Sequence, residues 1–314
     1  MRPSNDTERS MKAEILNLWK ASFDDTDDFV RLYFDRVYKD EYTLTLRENG
    51  QVVSALQMLP YRMTVGGTTV PLAYVCGVCT RPSERGRGLM HQLMQQAIAE
   101  MRRRGFTLTA LIPASERLAG YYRRFGYTDA FYRSTEVYHA HAMPSGEAFC
   151  RIVSHRELPS ETVFDYFDRK CRERPCAVLH DAFGWETICM DCLLDGGDVW
   201  LALRDGEAVG LTLALPQPDH SVLIKEILYE HPAVKTALIR FAMNRFHCQT
   251  AYVRTPSAPA ADAHPCGMAM ILDEERMTSL FQSACPGRAI PNGTDLLTQT
   301  LPDTQRPWMN LMLD

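Results

Sequence analysis

A long amphipathic segment between two apolar stretches constrains the fold of this chain more than any other feature. Residues 89–101 place Leu, Met, Ala and Ile side chains at helical spacing, so they predict a helix with one apolar face. Apolar strands are predicted on both sides of it, at residues 70–80 and 106–112. A strand–helix–strand order favours two parallel strands joined by a crossover helix, and it therefore predicts an α/β fold.

Turn signals divide the residues before this unit into hairpins. An Asn-Gly pair at 49–50 and a Gly-Gly pair at 66–67 are typical of tight hairpin turns, and apolar strand patterns flank both of them. Two helices are predicted nearer the start, at residues 10–22 and directly after Thr26, which suits an N-cap. A short helix and a further strand follow the crossover, up to residue 140.

The second half of the chain repeats this order of elements. Strands are predicted at residues 199–203, 208–215 and 222–228, and a helix at residues 233–246. The pattern breaks around residues 141–150. We therefore predict domains at residues 1–145 and 146–273, followed by a C-terminal segment, 274–314, whose apolar end packs near the domain interface.

Composition limits the function classes. The 314 residues are 46% hydrophobic and carry a net charge of −5, so a folded core is expected and neither nucleic acid nor a membrane is expected as the partner. The chain begins without an apolar leader, and its apolar stretches are shorter than the roughly 18 residues of a membrane span. Its ten cysteines are therefore expected to be reduced thiols in a cytoplasmic protein.

The chemistry-bearing stretch is TRPSERGRGLM at residues 80–90, between the crossover strand and its helix. Gly86 and Gly88 let the backbone approach a ligand, and the free N–H groups at a helix N-terminus attract phosphate. Arg85 and Arg87 add positive charge. A tight turn with solvated arginines explains the same residues equally well. The stretch has neither the G-K-[ST] of a Walker A loop nor the G-x-G-x-x-G of a dinucleotide loop.

Together with its neighbours, this loop resembles a known family. RGRG at residues 85–88 resembles the R/Q-x-x-G-x-G/A pyrophosphate loop of the GCN5-related N-acetyltransferases (GNATs), and YYRRFGY at residues 121–127 resembles their YxxxGF element. The combination is most similar to the Eis-type (enhanced intracellular survival) branch. The resemblance implies an α/β fold of two tandem GNAT-like domains, each a mixed β-sheet flanked by helices. Met90 replaces the loop's third small residue, and about forty C-terminal residues are too few for the sterol-carrier-like domain of the Eis-type enzymes.

The resemblance also implies a function and a set of site residues. The function is transfer of an acetyl group from acetyl-CoA to a primary amine, small-molecule or peptide, by direct attack on the thioester. Tyr122 would protonate the leaving thiolate, and the carboxylate of Asp314 is a candidate base. The residues implied in binding acetyl-CoA are Val78, Cys79 and Thr80 for the pantetheine arm, and Arg85, Gly86, Arg87, Gly88, Leu89 and Met90 for the pyrophosphate.

A run of acidic residues before the second helix has two interpretations. It consists of Asp24, Asp25, Asp27 and Asp28. A solvated loop that caps the helix explains the run without any function. The resemblance instead places it at the border of the acceptor site, where carboxylates would attract a protonated amine.

The second half carries no equivalent of the phosphate loop. Its counterpart is YEHPAVK at residues 229–235, which has no glycine. Glu230 would repel phosphate, and Pro232 lacks an amide hydrogen. The second domain is therefore expected not to bind coenzyme A and to form a wall of the substrate cleft.

Two other classes of function stay open on the sequence. One is a non-catalytic coenzyme A-binding or scaffold protein, and the other is a tandem-GNAT aminoacyl transferase that uses charged tRNA, against which the acidic pI of 6.0 argues. No metal is expected, since Cys76 and Cys79 face opposite sides of a strand, far in sequence from Cys189 and Cys192. The amine acceptor and the oligomeric state, a homo-oligomer included, are not fixed by the residues.

Overall fold

The computed structural model describes residues 5–144, 150–257, 264–284, 287, 297 and 306–313. Contacts divide the chain into two compact units. The first unit combines the residues up to Phe131 with a later stretch that starts at Pro265 and contains a strand and a helix. The second unit runs from Tyr132 to His264 and includes residues 306–313.

Helices and strands alternate along the described residues. The helices are α1 Asn5–Lys20, α2 Asp27–Arg36, α3 Leu89–Arg103, α4 Glu116–Arg123, α5 Ser160–Arg172, α6 Ala182–Leu194, α7 Pro232–Arg245 and α8 Glu274–Ala284. The strands are β1 Thr43–Glu48, β2 Gln51–Val65, β3 Thr68–Thr80, β4 Leu108–Leu111, β5 Thr128–His139, β6 Arg151–Ser154, β7 Val178–Leu179, β8 Asp198–Arg204, β9 Glu207–Pro216, β10 Val222–Tyr229, β11 Thr250–Pro256 and β12 His264–Ile271.

The first unit is a mixed sheet built around the predicted crossover. β1, β2 and β3 form an antiparallel meander, β4 lies parallel to β3, and β12 pairs antiparallel with β4. The apolar face of α3 covers this sheet, and its members Leu93, Met94, Ala97, Ile98 and Met101 are buried. They pack against strand residues such as Met58 and Val75. The predicted parallel pair and crossover helix are confirmed.

Both predicted hairpin turns have the backbone that their residues favour. Asn49 and Gly50 have φ angles of 49° and 80°, and Gly66 and Gly67 have 56° and 81°. Two successive positive φ angles are the requirement of a type I′ turn, whose twist matches the flanking strands. At the N-terminus, the Oγ1 of Thr26 accepts from the backbone N–H of Phe29 at 3.2 Å, so the predicted N-cap of α2 is confirmed.

The second unit repeats the order of the first. β8, β9 and β10 are antiparallel, β11 lies parallel to β10, and α7 connects these two strands. β6 and β5 complete the sheet at its two sides, next to β8 and β11. The predicted tandem arrangement of two mixed sheets flanked by helices is confirmed.

The compact units do not coincide with the predicted ranges. The division at Phe131 lies within the continuous strand β5, about fourteen residues before the predicted boundary at 145. β12, placed by prediction in the second domain, instead pairs with β4 of the first unit. The reason is that strand pairing joins residues that are far apart in sequence, which local pattern does not report.

The segment 306–313 packs inward on the second unit, as its apolar residues predicted. Trp308 is buried, donates its backbone N–H to Cys176 at 2.8 Å and accepts from Val178 at 2.9 Å. Its indole Nε1 donates to Glu226, 2.9 Å away. The buried Glu226 is also paired with Arg174 at 2.9 Å. The candidate base Asp314 lies outside the described residues.

Candidate active site

A bulge interrupts β3 shortly before its end. Across the hairpin, Ala55 faces Cys79 and Gln57 faces Cys76, so Gly77 and Val78 together stand opposite one residue of β2. Gly77 has a φ of 58°, which non-glycine residues adopt only with strain. A bulge of this kind bends the strand and re-aims the residues that follow it.

Beyond the bulge, β3 presents an edge of backbone. β3 pairs with β4 only from Leu72 to Tyr74 among the described residues, and it then continues to Thr80 with no β4 residue opposite. Val78 and Thr80 are half-buried and Cys79 is buried. Burial raises the pKa of the Cys79 thiol to about 12, so this residue offers backbone groups and no thiolate. An unpaired strand edge is suited to bind an extended ligand that carries amides.

The N-terminus of α3 follows this edge and is uncapped. Gly88 is the N-cap, with a φ of 79°, and no side chain of the described residues caps the helix. The first intrahelical bond runs from Gln92 N–H to the Gly88 carbonyl at 3.1 Å, which leaves the amides of the first turn without helical partners. Apart from the glycine itself and its two chain neighbours, no described residue has an atom within 4 Å of the position that a Cβ on Gly86 or Gly88 would take. The helix start therefore offers free donors and open space to an anion.

The two loop arginines have different surroundings. Arg87 is paired with Glu48 on β1 at 2.7 Å and also with Glu84, and these carboxylates raise the pKa of Arg87. Arg87 thus ties the loop to the sheet, in agreement with a structural role. Arg85 is exposed, donates from Nε to the Thr80 carbonyl at 3.2 Å, and forms no ion pair within the described part of the chain. Arg85 is the loop guanidinium available to a phosphate.

Tyr122 lies buried on α4. It is 6% exposed and stands edge-on to Tyr121, with ring centroids 5.5 Å apart. Burial, followed by the neighbouring Tyr121 and Cys76, raises the pKa of Tyr122 above its ordinary value of 10.0. The phenol therefore keeps its proton at neutral pH, which a hydrogen-bond donor to a departing thiolate requires.

The comparisons with known proteins address this same part of the chain. Residues 5–130 match the family model of the acetyltransferase (GNAT) domain. This part of the chain is a GNAT domain. The resemblance drawn from the loop and the YxxxGF-like element is thereby confirmed.

Solved structures extend the likeness over most of the chain at the level of fold. A conserved protein from Enterococcus faecalis V583 superposes with a TM-score of 0.72 and 18% identity, over 84% of this chain and 71% of that one. A GCN5-related N-acetyltransferase from Anabaena variabilis gives 0.66 and 16%, over 87% and 72%. Eis1 from Mycobacterium abscessus gives 0.68 and 13%, over 88% and 75%. By sequence alone, none of the curated proteins is recognisably similar to this chain.

Three of the four carboxylates in the acidic run, beside the second helix of the GNAT domain, are paired with nearby side chains. Asp27 pairs with Lys20 at 2.6 Å, Asp28 pairs with Arg31 at 3.3 Å, and Asp25 accepts from the indole of Trp19 at 2.7 Å. Asp24 is exposed and makes no hydrogen bond or ion pair with a described residue. The acceptor interpretation of the run stays a prediction, and the structure directs it toward Asp24.

Three site residues of the GNAT domain were missed by sequence reasoning. They surround the bulge: Tyr33 donates its hydroxyl to the Gln57 amide oxygen at 2.9 Å and lies 3.2 Å from the Cys76 sulfur. Both Tyr33 and Gln57 are 1% exposed. Trp19 packs against Gly77. One signal was available, since a glycine inside an apolar strand marks a bulge or a close approach.

The counterpart loop of the second unit is closed. His231 is the N-cap of α7, and its Nδ1 accepts from the Ala233 N–H at 3.3 Å. Glu230 sits directly before it and is paired with Arg169 at 2.8 Å. The helix thus starts with a capped amide, a proline and a nearby carboxylate, which agrees with the predicted loss of phosphate binding.

The described residues contain neither a metal-binding cluster nor a membrane-spanning helix. They contain no group of three or more His, Cys, Asp or Glu side chains arranged to hold a metal ion. Of the helices described, none has the length and apolar character that crossing a bilayer would take.

Proposed function

We propose that this protein is an N-acetyltransferase that transfers the acetyl group of acetyl-CoA to a primary amine. The observation that carries the proposal is the succession of an open strand edge and an uncapped helix N-terminus within the GNAT domain. The edge at Val78, Cys79 and Thr80 suits the amides of the pantetheine arm. The helix start, from Gly86 to Met90, together with Arg85, suits the pyrophosphate.

In this proposal the strand edge, the helix start and Tyr122 each contribute to acetyl transfer. The strand edge and the helix start orient the thioester, which brings an activated acyl group to the amine. The amine nitrogen forms a bond to the carbonyl carbon, the carbon–sulfur bond breaks, and Tyr122 supplies the proton to the departing sulfur. No nucleophilic side chain is needed, in agreement with the raised pKa of the buried Cys79 thiol.

The base that takes the amine's proton is proposed from the family resemblance. The carboxylate of Asp314 is the candidate, and water is the alternative route for the proton. Asp24 is proposed to attract the protonated amine before it is deprotonated, because its exposed carboxylate is the member of the acidic run without a described partner. The acceptor class is therefore cationic amines, such as polyamines, aminoglycosides and peptide amines.

The test is a measurement of free thiol release from acetyl-CoA with a panel of primary amines, alongside calorimetric titration of acetyl-CoA. We expect binding without an acceptor and thiol release that depends on the amine. Binding without release for any amine would favour the coenzyme A-binding scaffold. Absence of binding would reject both functions and leave the tRNA-dependent aminoacyl transferase as the candidate to test.

A further inference from the structure

The side chain of Trp19 fills the space in front of the β3 bulge. Trp19 is 4% exposed. A Cβ built on Gly77 would lie 2.7 Å from Cζ3 and 3.5 Å from Cε3 of the indole. Contacts under 3 Å do not occur for real Cβ atoms, so the benzene ring of the indole occupies the place that any side chain at position 77 would need. The bulge and the indole therefore determine each other's position.

The other end of the same indole holds the acidic loop. Its Nε1 donates to the Oδ2 of Asp25 at 2.7 Å, within the range of a hydrogen bond to a charged acceptor. Asp25 stands directly between Asp24 and the N-cap Thr26. One side chain thus touches the strand that leads to Val78 and the loop that carries the acidic run.

A polar and aromatic frame fixes the orientation of the indole. Tyr33 and Phe34 lie against it, with ring centroids 4.6 Å and 5.6 Å away. Tyr33 is itself held by its hydrogen bond to the buried Gln57 of β2, at 2.9 Å. Gln57 lies beside the bulge, because its Nε2 would be 3.4 Å from a Cβ on Gly77. The indole has little freedom to rotate or withdraw.

From this arrangement we infer that Trp19 is a positioning residue for both substrates. Its benzene ring sets the bulge from which Val78, Cys79 and Thr80 present their backbone to the thioester arm, and its N–H holds the Asp25 carboxylate and with it the loop of Asp24. This inference rests on the proposed function and adds to it a physical link between the donor-binding strand and the acceptor loop. The two ends of the indole serve different substrates, so their effects are separable.

The donor end is tested by comparing two ligands in calorimetric titrations. Acetyl-CoA uses the strand edge, whereas 3′-phosphoadenosine 5′-diphosphate carries only the nucleotide and phosphates. Trp19→Phe shortens the ring system that reaches Gly77, so the Kd of acetyl-CoA should rise about 10-fold, the equivalent of one or two lost hydrogen bonds. The Kd of the nucleotide should change by less than about 2-fold. Gly77→Ala should likewise raise the Kd of acetyl-CoA and leave the Kd of the nucleotide unchanged. If Gly77→Ala does not fold, Trp19→Phe alone decides the test.

The acceptor end is tested by steady-state kinetics with spermidine as the amine. Asp25→Ala should raise the KM for spermidine about 5-fold and leave the Kd of acetyl-CoA unchanged. Combined with Trp19→Phe it should add little further to that KM, because both variants remove the same hydrogen bond. Lys12→Met, which removes the pair of Lys12 with Asp35 outside the acidic run, is the matched control and should change neither quantity.

The outcomes separate this inference from the proposed function. Suppose that the wild type binds acetyl-CoA, and that Trp19→Phe weakens the binding of both ligands equally or of neither. Trp19 is then a packing residue, and the inference is rejected while the proposed acetyltransferase function stands. If the wild type fails to bind acetyl-CoA, both proposals fall together. A selective loss of acetyl-CoA affinity, with the nucleotide unaffected, supports the positioning role.

Discussion

The two units of this protein share an order of elements and differ at one helix N-terminus. In the first unit no described strand pairs with the end of the strand before α3, and no described side chain caps the helix that Gly88 starts. In the second unit His231 caps α7, and Glu230 stands in front of it. The same topology therefore gives a place for an anion in one unit and a closed helix start in the other. Function in a repeated fold depends on a few loop residues and not on the sheet.

The largest expected effect comes from putting a carboxylate at the open helix start. Gly88→Glu adds a negative charge where the phosphates are proposed to bind, and a side chain at a φ of 79°. We expect the Kd of coenzyme A to rise about 100-fold or more, with the fold retained. Calorimetric titration measures it.

Two controls accompany this substitution. Gly88→Ala introduces the same backbone strain without charge and should weaken binding less. His231→Glu places the charge at the N-cap of the second unit and should leave the Kd unchanged, because that helix start is already closed. Equal losses from Gly88→Glu and His231→Glu would remove the distinction between an open and a closed unit.

The second prediction compares two buried tyrosines. Tyr122→Phe should lower kcat about 100-fold without changing the Kd of acetyl-CoA, because the proton donor is lost and binding groups are kept. Tyr166 of the second unit also has a pKa raised chiefly by burial, so Tyr166→Phe is the matched control and should keep full kcat. Since burial raises the pKa of Tyr122 above 10.0, the activity that depends on it should not decline between neutral pH and that value. A Tyr122→Phe enzyme with normal kcat would assign the acid to another group.

The third prediction compares ion pairs in the two units. Glu226 is buried and Arg174 is partly buried, whereas Glu48 and Arg87 are more exposed. Glu226→Gln leaves the partly buried guanidinium of Arg174 without its buried counter-charge and should lower the free energy of unfolding by about 3 kcal/mol. Glu48→Gln removes a surface pair and should cost less than about 1 kcal/mol. Urea unfolding measures both, and equal costs would contradict the difference in burial.

The same pair makes stability depend on pH in a defined direction. Burial alone would raise the pKa of Glu226, but Arg174, with hydrogen bonds from Trp308 and Asn310, holds it below its ordinary value. A lowered folded-state pKa contributes stability that is complete above the unfolded value, about 4.3, and is lost as the pH falls below it. Acid unfolding of Glu226→Gln should therefore lack this contribution and vary less with pH than the wild type.

The smallest expected effect concerns the acidic run. Asp24→Asn removes the carboxylate that has no described partner, so the KM for spermidine should rise about 2- to 5-fold and become less sensitive to salt. Asp28→Asn is the control, since Asp28 is already paired with Arg31. Equal KM values for the two variants would favour the interpretation of the acidic run as a solvated loop that caps the helix.

Local features of the fold were predictable because their causes are local. The stripe of α3, the positive-φ pairs at the hairpins and the Thr26 cap each depend on residues a few positions apart. α6 was missed because it is apolar on both faces and shows no stripe: Phe183, Met190 and Leu194 are exposed while Trp185 is buried. The place of β12 was missed because it depends on pairing with a strand made more than 150 residues earlier.

The candidate site also combines local features, which could be predicted from the sequence, with features that depend on distant residues. The loop of Gly86 and Gly88 could be found from the sequence, since backbone freedom and a helix start are local properties. Arg87 is tied to Glu48, whereas Arg85 forms no ion pair with a described residue, and this difference depends on a strand 39 positions away. The role of Trp19 depends on the contact between α1 and β3, and no spacing within either element reports it.

The position of β12 has a consequence for how the protein is made. The first unit's sheet includes a strand that the ribosome delivers only after strands β6 to β11 of the second unit, because β12 follows β11 in the chain and pairs with β4. The GNAT domain therefore emerges incomplete, with one side of the short strand β4 unpaired while more than a hundred further residues are synthesised. Such late, long-range pairing slows folding and exposes a strand edge to wrong partners. A gene fragment that stops near residue 140 would lack this strand altogether.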